Sequence, residues 1–207
     1  MFPEFFSSAP VIQTRDPLAD FLGASPEGLL EYRYEDAVRL AGHSCPTVAS
    51  AFLMTRCALA ALYQDSLPVR GEIRVDFADD QAAGVTGVIA SIVTLVTGAT
   101  ADSGFRGIGG QFNRRHKLFF NQPLTRGSLR FARLDSGQSI EVAADLSGVP
   151  MDARVGELMQ KCQQRLARAD EQALFRELWQ DRVKRLLLDH ADDASVFQLF
   201  PSEVAHG

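Results

Sequence analysis

The chain has 207 residues, of which 46% are hydrophobic and 23% charged, and its net charge is −5. This composition is typical of a globular protein with enough apolar residues for a core. The acidic balance argues against nucleic-acid binding, which needs a basic surface. The apolar runs are too short to predict a membrane span, and the early acidic residues do not fit a secretory signal. Three scattered cysteines predict no disulfide framework. We therefore expect a cytoplasmic protein that binds neither nucleic acid nor membrane.

The first part of the chain predicts an arm followed by a helix. Prolines are spaced through residues 1–24, which indicates an N-terminal arm that packs on the body of the protein or on a partner. A helix is expected from Ser25 onward, because Leu30, Tyr34 and Ala37 recur at helical spacing. Gly42 is expected to end that helix.

Residues 25–148 predict an α+β core. A second helix is expected from Cys45 to about Tyr63, and residues 84–98 predict a buried helix with a stripe of small side chains. Between them, residues 69–77 alternate apolar and charged side chains, which indicates a strand with one buried face. Further strands are predicted at 117–121, 128–134 and 139–146. Together these elements predict a mixed or antiparallel sheet packed with helices.

Residues 149–207 predict a C-terminal helical extension. Apolar residues recur at helical spacing from Pro150 to about His190, with a break near Asp170. Cys162 falls on the apolar face of the first of these helices, and Cys57 lies among apolar residues of an earlier one. Both are interpreted as core-packing cysteines.

The segment Gly42-His43-Ser44-Cys45-Pro46 brings more potentially reactive or metal-binding side chains together than any other short segment of the chain. Proline is favoured at the first position of a helix, so Cys45 is expected beside a helix N-terminus. The free N–H groups and the dipole there favour an anion, and a thiolate is both a nucleophile and a metal ligand. His43 adds a second donor or a base. The alternative is that the two side chains only cap the helix and fill a crevice, because the spacing H-x-C is weak evidence by itself.

A third ligand for such a site would come from elsewhere in the chain. His116 is the first choice, because it follows a glycine-rich loop (glycines at 98, 104, 107, 109 and 110) that could fold over the helix N-terminus. The alternative is a solvated basic turn. Asp79 or Asp80, just after the strand at 69–77, is the second choice.

The G-H-x-C-P segment and its helix resemble the signature of the FmdE family, which takes its name from formylmethanofuran dehydrogenase. Thr97-Gly98-Ala99-Thr100 resembles that family's T-G-C-T segment, and the resemblance covers roughly residues 33–146. It implies an α+β core, a homodimer and a metal pocket around His43 and Cys45. Where typical members have cysteine, this chain has Ala99, and where they often have another it has Val88 or Gly87. A thiol-rich or electron-transfer site is therefore not expected.

These observations lead to three hypotheses about function. The first is a metal-binding protein in which His43, Cys45 and His116 hold Zn²⁺ or a similar divalent ion, with a position left open for water or an unidentified small molecule. The second is a non-enzymatic accessory module that binds or delivers a metal, an oxyanion or a pterin-type cofactor to a partner. The third is a metal-free enzyme with Cys45 as nucleophile and His43 as base.

Overall fold

The computed structural model describes residues 2–203 and confirms the predicted α+β class. Helices pack against a five-stranded sheet, and a separate two-stranded antiparallel sheet lies near the N-terminus. The helices are α1 (Pro17–Phe21), α2 (Tyr34–Ala41), α3 (Pro46–Tyr63), α4 (Thr86–Thr97), α5 (Val155–Gln163) and α6 (Ala169–Lys184). The strands are β1 (Ile12–Arg15), β2 (Leu29–Tyr32), β3 (Ile73–Phe77), β4 (Leu118–Phe119), β5 (Leu129–Arg133), β6 (Gln138–Ala144) and β7 (Phe197–Glu203).

Helix α3 is the centre of the core. It begins and ends where the sequence predicts, and residues on all sides of it are buried, among them Val48, Phe52 and Leu59. It packs against α4, β5 and β6. Of the helices in residues 2–203, α3 alone has the length and apolarity to cross a membrane, and two-thirds of it is buried within the fold. Such burial matches the core helix of a soluble protein.

The five-stranded sheet has the order β4-β3-β5-β6-β7. Its pairs are antiparallel except β3–β4, which is parallel. The turn between β5 and β6 contains Gly137 at a φ of 73°. On β3 the charged Asp76 is 1% exposed and forms ion pairs with Arg74 and Arg130. The charged face of this strand is therefore paired rather than solvated.

Residues 2–24 pack on the body of the protein, as one form of the predicted arm would, because Phe6 and Ile12 are buried in the core. They also include a 3₁₀ turn (Glu4–Ser8), β1 and α1. The expectation for the helix that follows is wrong. The helix expected from Ser25 begins only at Tyr34. Gly28 has a φ of 69°, which is not a right-handed helical conformation. The residues after it form β2, which pairs with β1. Burial alternates along β2, as in a strand with one exposed face.

The C-terminal segment is not only helical. Helices α5 and α6 are present, and the break between them falls just before Asp170. The chain then returns as β7, which pairs with β6 along its whole length. Pro201 obscures this strand in the sequence, but proline is tolerated here because β7 is an edge strand. Residues 204–207 of the predicted extension lie outside the described residues.

A buried ion cluster attaches the glycine-rich loop to the N-terminal region. Asp16 is 3% exposed and accepts hydrogen bonds from Arg70 at 2.8 Å and Arg114 at 2.5 Å. Arg114 lies at the end of the glycine-rich loop and its guanidinium packs against Gly71. Gly71 has a φ of 90°, which favours glycine, and a Cβ atom there would overlap the Arg114 guanidinium and force that side chain to shift. The loop is thus held through Arg114.

Candidate functional site

The segment 42–46 is a tight turn between two helices. Gly42 ends α2 with a φ of 74°, a left-handed conformation that favours glycine. Cys45 has extended backbone and is the N-cap of α3, with Pro46 as the first helical residue. The sequence-based placement of Cys45 at a helix N-terminus is therefore confirmed. The turn is only four residues long, so His43 and Cys45 are held close together.

The two side chains are in direct contact. His43 Nε2 lies 3.3 Å from Cys45 Sγ, and His43 Nδ1 lies 3.0 Å from the carbonyl oxygen of Ala41. A carbonyl only accepts, so Nδ1 donates to it, and the tautomer with its proton on Nδ1 directs the Nε2 lone pair at Sγ. The backbone N–H of Val48 donates to Cys45 Sγ at 3.4 Å. The sulfur therefore lies between a base and a helix N–H donor.

Side chains of α6 hold Ser44, the residue between His43 and Cys45. Ser44 Oγ contacts Tyr34 Oη at 2.9 Å and donates to Gln180 Oε1 at 3.0 Å. The carbonyl oxygen of Ser44 accepts hydrogen bonds from Trp179 Nε1 at 3.0 Å and from Gln180 Nε2 at 3.3 Å. Burial raises the pKa of Tyr34 well above its usual range, so its hydroxyl stays protonated. We call Tyr34, Trp179 and Gln180 the Ser44 clamp.

The site has one exposed and one buried member. His43 is exposed, whereas only 8% of the surface of Cys45 is exposed. Beside His43 lies an open cleft of about 470 Å³, lined in part by Gly84, Gly87 and Ser91 of α4 and the turn before it. The small side chains leave room next to the imidazole. A molecule in this cleft would meet His43 before it met the sulfur.

The structure does not bring the other predicted ligands to this pair. His116 is 58% exposed, and its Nδ1 lies 3.4 Å from Asp102, which is itself 99% exposed. Asp79 and Asp80 are exposed, and Asp80 is turned to the N–H of Ala82 and to Asn121. Across residues 2–203, no group of three or more His, Cys, Asp or Glu side chains is arranged to hold a metal. His43 and Cys45 are thus the donors that one chain brings together.

The geometry of these two donors fits a divalent metal. Zinc binds histidine nitrogen at about 2.0 Å and cysteine sulfur at about 2.3 Å, which separates the two donors by about 3.5 Å in a tetrahedral site. The observed separation is 3.3 Å. A metal-binding histidine usually donates its other ring N–H to a carbonyl or carboxylate, as His43 Nδ1 does here.

The remaining cysteines are less buried than expected. Cys57 and Cys162 are both half-buried, and all three cysteines are free. Cys57 packs at the edge of the core, and burial raises the pKa of its thiol. Cys45, the thiol that the sequence places in the candidate site, is the most buried of the three.

Sequence reasoning missed the Ser44 clamp. Trp179 and Gln180 are 135 and 136 positions away from Ser44. In the sequence, Trp179 matches the apolar face of a helix, and no local pattern links it to the G-H-x-C-P turn. The one available signal was the indole N–H, which needs a partner when the ring is partly buried.

No protein-family model matches this chain, and no curated protein is significantly similar to it.

Proposed function

We propose that the chain is an FmdE-like metal-binding protein in which His43 and Cys45 hold Zn²⁺ or a similar divalent ion. The observation that supports this most is the 3.3 Å contact between His43 Nε2 and Cys45 Sγ. Two donors of the right softness, in one four-residue turn and close to tetrahedral separation, are already prepared for a shared ion. The G-H-x-C-P and T-G-x-T segments support the same proposal by their resemblance to the FmdE family.

Each residue of the turn has a distinct part. Cys45 is the thiolate donor, and the Val48 N–H and the N-terminus of α3 stabilise its negative charge. His43 donates Nε2, while the Ala41 carbonyl fixes the ring and its tautomer. Ser44 sets the angle between the two through the clamp on its carbonyl oxygen. A bound metal with free coordination positions would supply Lewis acidity or lower the pKa of a coordinated water.

The same contact supports a second candidate, a metal-free thiol nucleophile. Proton transfer from Cys45 Sγ to His43 Nε2 would give a thiolate and an imidazolium. The imidazolium would then donate from Nδ1 to the Ala41 carbonyl and from Nε2 to the sulfur, so every polar atom of the pair keeps a partner. Such an ion pair is the activated form of a nucleophilic cysteine.

Cobalt titration separates the two candidates. Tag-free protein is stripped of metal, and Co²⁺ is added while the absorption spectrum is recorded. A metal site predicts one saturable equivalent per chain and an intense thiolate-to-cobalt band, both lost in Cys45→Ser and His43→Ala. If wild-type protein shows no such band while iodoacetamide modifies Cys45 selectively, the thiol candidate replaces the metal site.

We also propose that the protein is cytoplasmic and a homodimer. With two metal donors per chain, the remaining coordination positions are open to water, a small molecule or a second copy, and two-fold dimers are the commonest closed assembly. Light scattering at micromolar concentration tests the assembly. A mass near twice 22.7 kDa is expected, and a mass of one chain would contradict the dimer.

A further inference from the structure

A second concave site lies behind the G-H-x-C-P turn. It is a cavity of about 380 Å³ between the N-terminal segment and α6, and Ser44 forms part of its floor. None of the residues that line it also lines the cleft beside His43. Its volume is within the range of small-molecule sites, about 300–1,000 Å³. It is therefore large enough for a ligand of its own.

Four of the nine residues that line this cavity are aromatic. The N-terminal segment contributes Phe2 and Phe6, with ring centroids 5.5 Å apart, and α6 contributes Phe175 and Trp179, 5.8 Å apart. Rings from two separate segments favour a flat, apolar molecule, because aromatic contacts gain energy beyond the area they bury.

The polar groups of the cavity divide into satisfied and unsatisfied ones. At the floor, Ser44, Trp179 and Gln180 are hydrogen-bonded to one another. Arg176 also lines the cavity, one helical turn before Gln180, and among residues 2–203 its guanidinium has neither a hydrogen bond nor an ion pair. An arginine without a partner at the rim of an apolar cavity is suited to an incoming carboxylate, which it can bind with two parallel hydrogen bonds.

We propose that this cavity binds a small planar aromatic carboxylate, with its ring between the aromatic walls and its carboxylate on Arg176. The apolar walls favour an aromatic ring, and the positive charge of Arg176 favours a ligand with a carboxylate. The proposal does not depend on the metal at His43 and Cys45, although a ligand here would contact Ser44 and hence the turn that carries both residues.

Tryptophan fluorescence can report binding at this site. Trp179 is its single tryptophan and lines the cavity. 2-Naphthoate and its neutral counterpart, 2-naphthalenemethanol, are titrated into wild-type protein by calorimetry, and the tryptophan emission is recorded in parallel. We expect the acid to bind about five- to tenfold more tightly than the alcohol and to change the emission in step with the heat.

Two variants and one control identify the binding groups. Arg176→Gln, on the exposed face of α6, is expected to reduce acid binding to the level of the alcohol and to leave alcohol binding unchanged. Phe175→Leu is expected to weaken both by a few-fold, because the ring stacking is lost. Arg106→Gln, which changes an exposed arginine that does not line the cavity, is expected to bind like wild type.

Three results would overturn the proposal. They are no saturable binding of naphthoate, equal affinity of acid and alcohol in wild type, and an equal loss in Arg106→Gln. Circular dichroism of each variant confirms that it is folded. Cys45→Ala protein is expected to bind naphthoate normally, so a failed metal site and a failed aromatic site give different results.

Discussion

Two loops of this protein carry a histidine that is predicted to bind metal, and the two histidines differ in how their side chains are held. In the turn 42–46, both nitrogens of His43 have partners, and Ser44 is held by three side chains. In the glycine-rich loop, His116 is mostly exposed and contacts an exposed aspartate at 3.4 Å. The second loop is fixed through Arg114 instead, which is buried against Asp16. Fixing the backbone of a loop is therefore not enough to form a metal site, because the side chain of the ligand must also be held in place.

The largest effect is expected where the glycine-rich loop is anchored. Asp16→Asn leaves Arg70 and Arg114 without a counter-charge, and breaking a buried ion pair costs about 3–5 kcal/mol of unfolding free energy. Urea denaturation measures this loss. Asp102→Asn, which removes only the exposed partner of His116, is the matched control and is expected to change stability by less than about 0.5 kcal/mol. Equal stability of the two variants would mean that the buried ion cluster does not anchor this loop.

The same anchor predicts a pH dependence. Burial acts to raise the pKa of Asp16, but hydrogen bonds and charge from Arg70 and Arg114 outweigh it, and the pKa lies below its ordinary value of 3.8. A carboxyl with a lowered folded pKa contributes stability above its unfolded pKa, and that contribution is lost as the pH falls through the folded value. The stability difference between wild type and Asp16→Asn should therefore be constant near neutral pH and shrink below about pH 4. A difference that grows in acid would contradict this sign.

In the turn 42–46, loss of the sulfur donor is expected to have the next largest effect. Cys45→Ala should weaken Zn²⁺ binding by at least about a hundredfold, because one of two donors is lost. Competition with a chromogenic chelator measures the affinity. Cys57→Ala removes a half-buried thiol of the same helix and is the control, with wild-type affinity expected. If both variants bind zinc like wild type, the sulfur of this turn is not a ligand.

The Ser44 clamp provides a smaller and more specific test. Trp179→Phe keeps an aromatic ring on α6 but removes the N–H that donates to the Ser44 carbonyl. It should lower stability by about 1 kcal/mol and zinc affinity by about tenfold, as for other groups that orient a metal ligand without touching the metal. Phe175→Leu changes the neighbouring ring without touching that hydrogen bond, and its zinc affinity should be unchanged. Equal affinities in the two variants would mean that the turn needs no support from α6.

The smallest effect is expected at His116. Since the chain does not bring this side chain into a donor group with His43 and Cys45, His116→Ala should change zinc affinity by less than about threefold. The same chelator competition measures it, with His43→Ala as the reference for loss of a true donor. A loss in His116→Ala as large as in His43→Ala would make His116 the third ligand, supplied by the same chain or by a second copy.

The sequence predicts the local features of this molecule and misses those that depend on distant contacts. Helix α3, the N-cap position of Cys45 and the turn at Gly42 follow from proline, glycine and apolar spacing within a few residues. Strand β7 could not be recognised, because only its pairing with β6 makes a seven-residue strand out of a segment with an internal proline. The Ser44 clamp was missed for the same reason, since Trp179 reaches the turn only through the packing of α6.

The sequence could not show which distant residues lie close to His43 and Cys45 in the fold. His43 and Cys45 are two positions apart, so their contact could be expected from the turn alone. His116 lies far along the chain from both, and its place depends on how the glycine-rich loop is anchored. That anchor is Arg114, which the sequence shows only as one of several basic residues near His116. Its partner Asp16 belongs to the predicted N-terminal arm, and no sequence pattern links the two.

Metal analysis of the wild type and of three variants shows whether His43 and Cys45 together hold a metal ion. Protein purified without an affinity tag is equilibrated with Zn²⁺, freed of excess ion and analysed by inductively coupled plasma mass spectrometry. We expect about one zinc per chain in wild type, a large loss in Cys45→Ala and in His43→Ala, and none bound in the double variant. Stoichiometric zinc in the folded double variant would mean that these two side chains do not form the site.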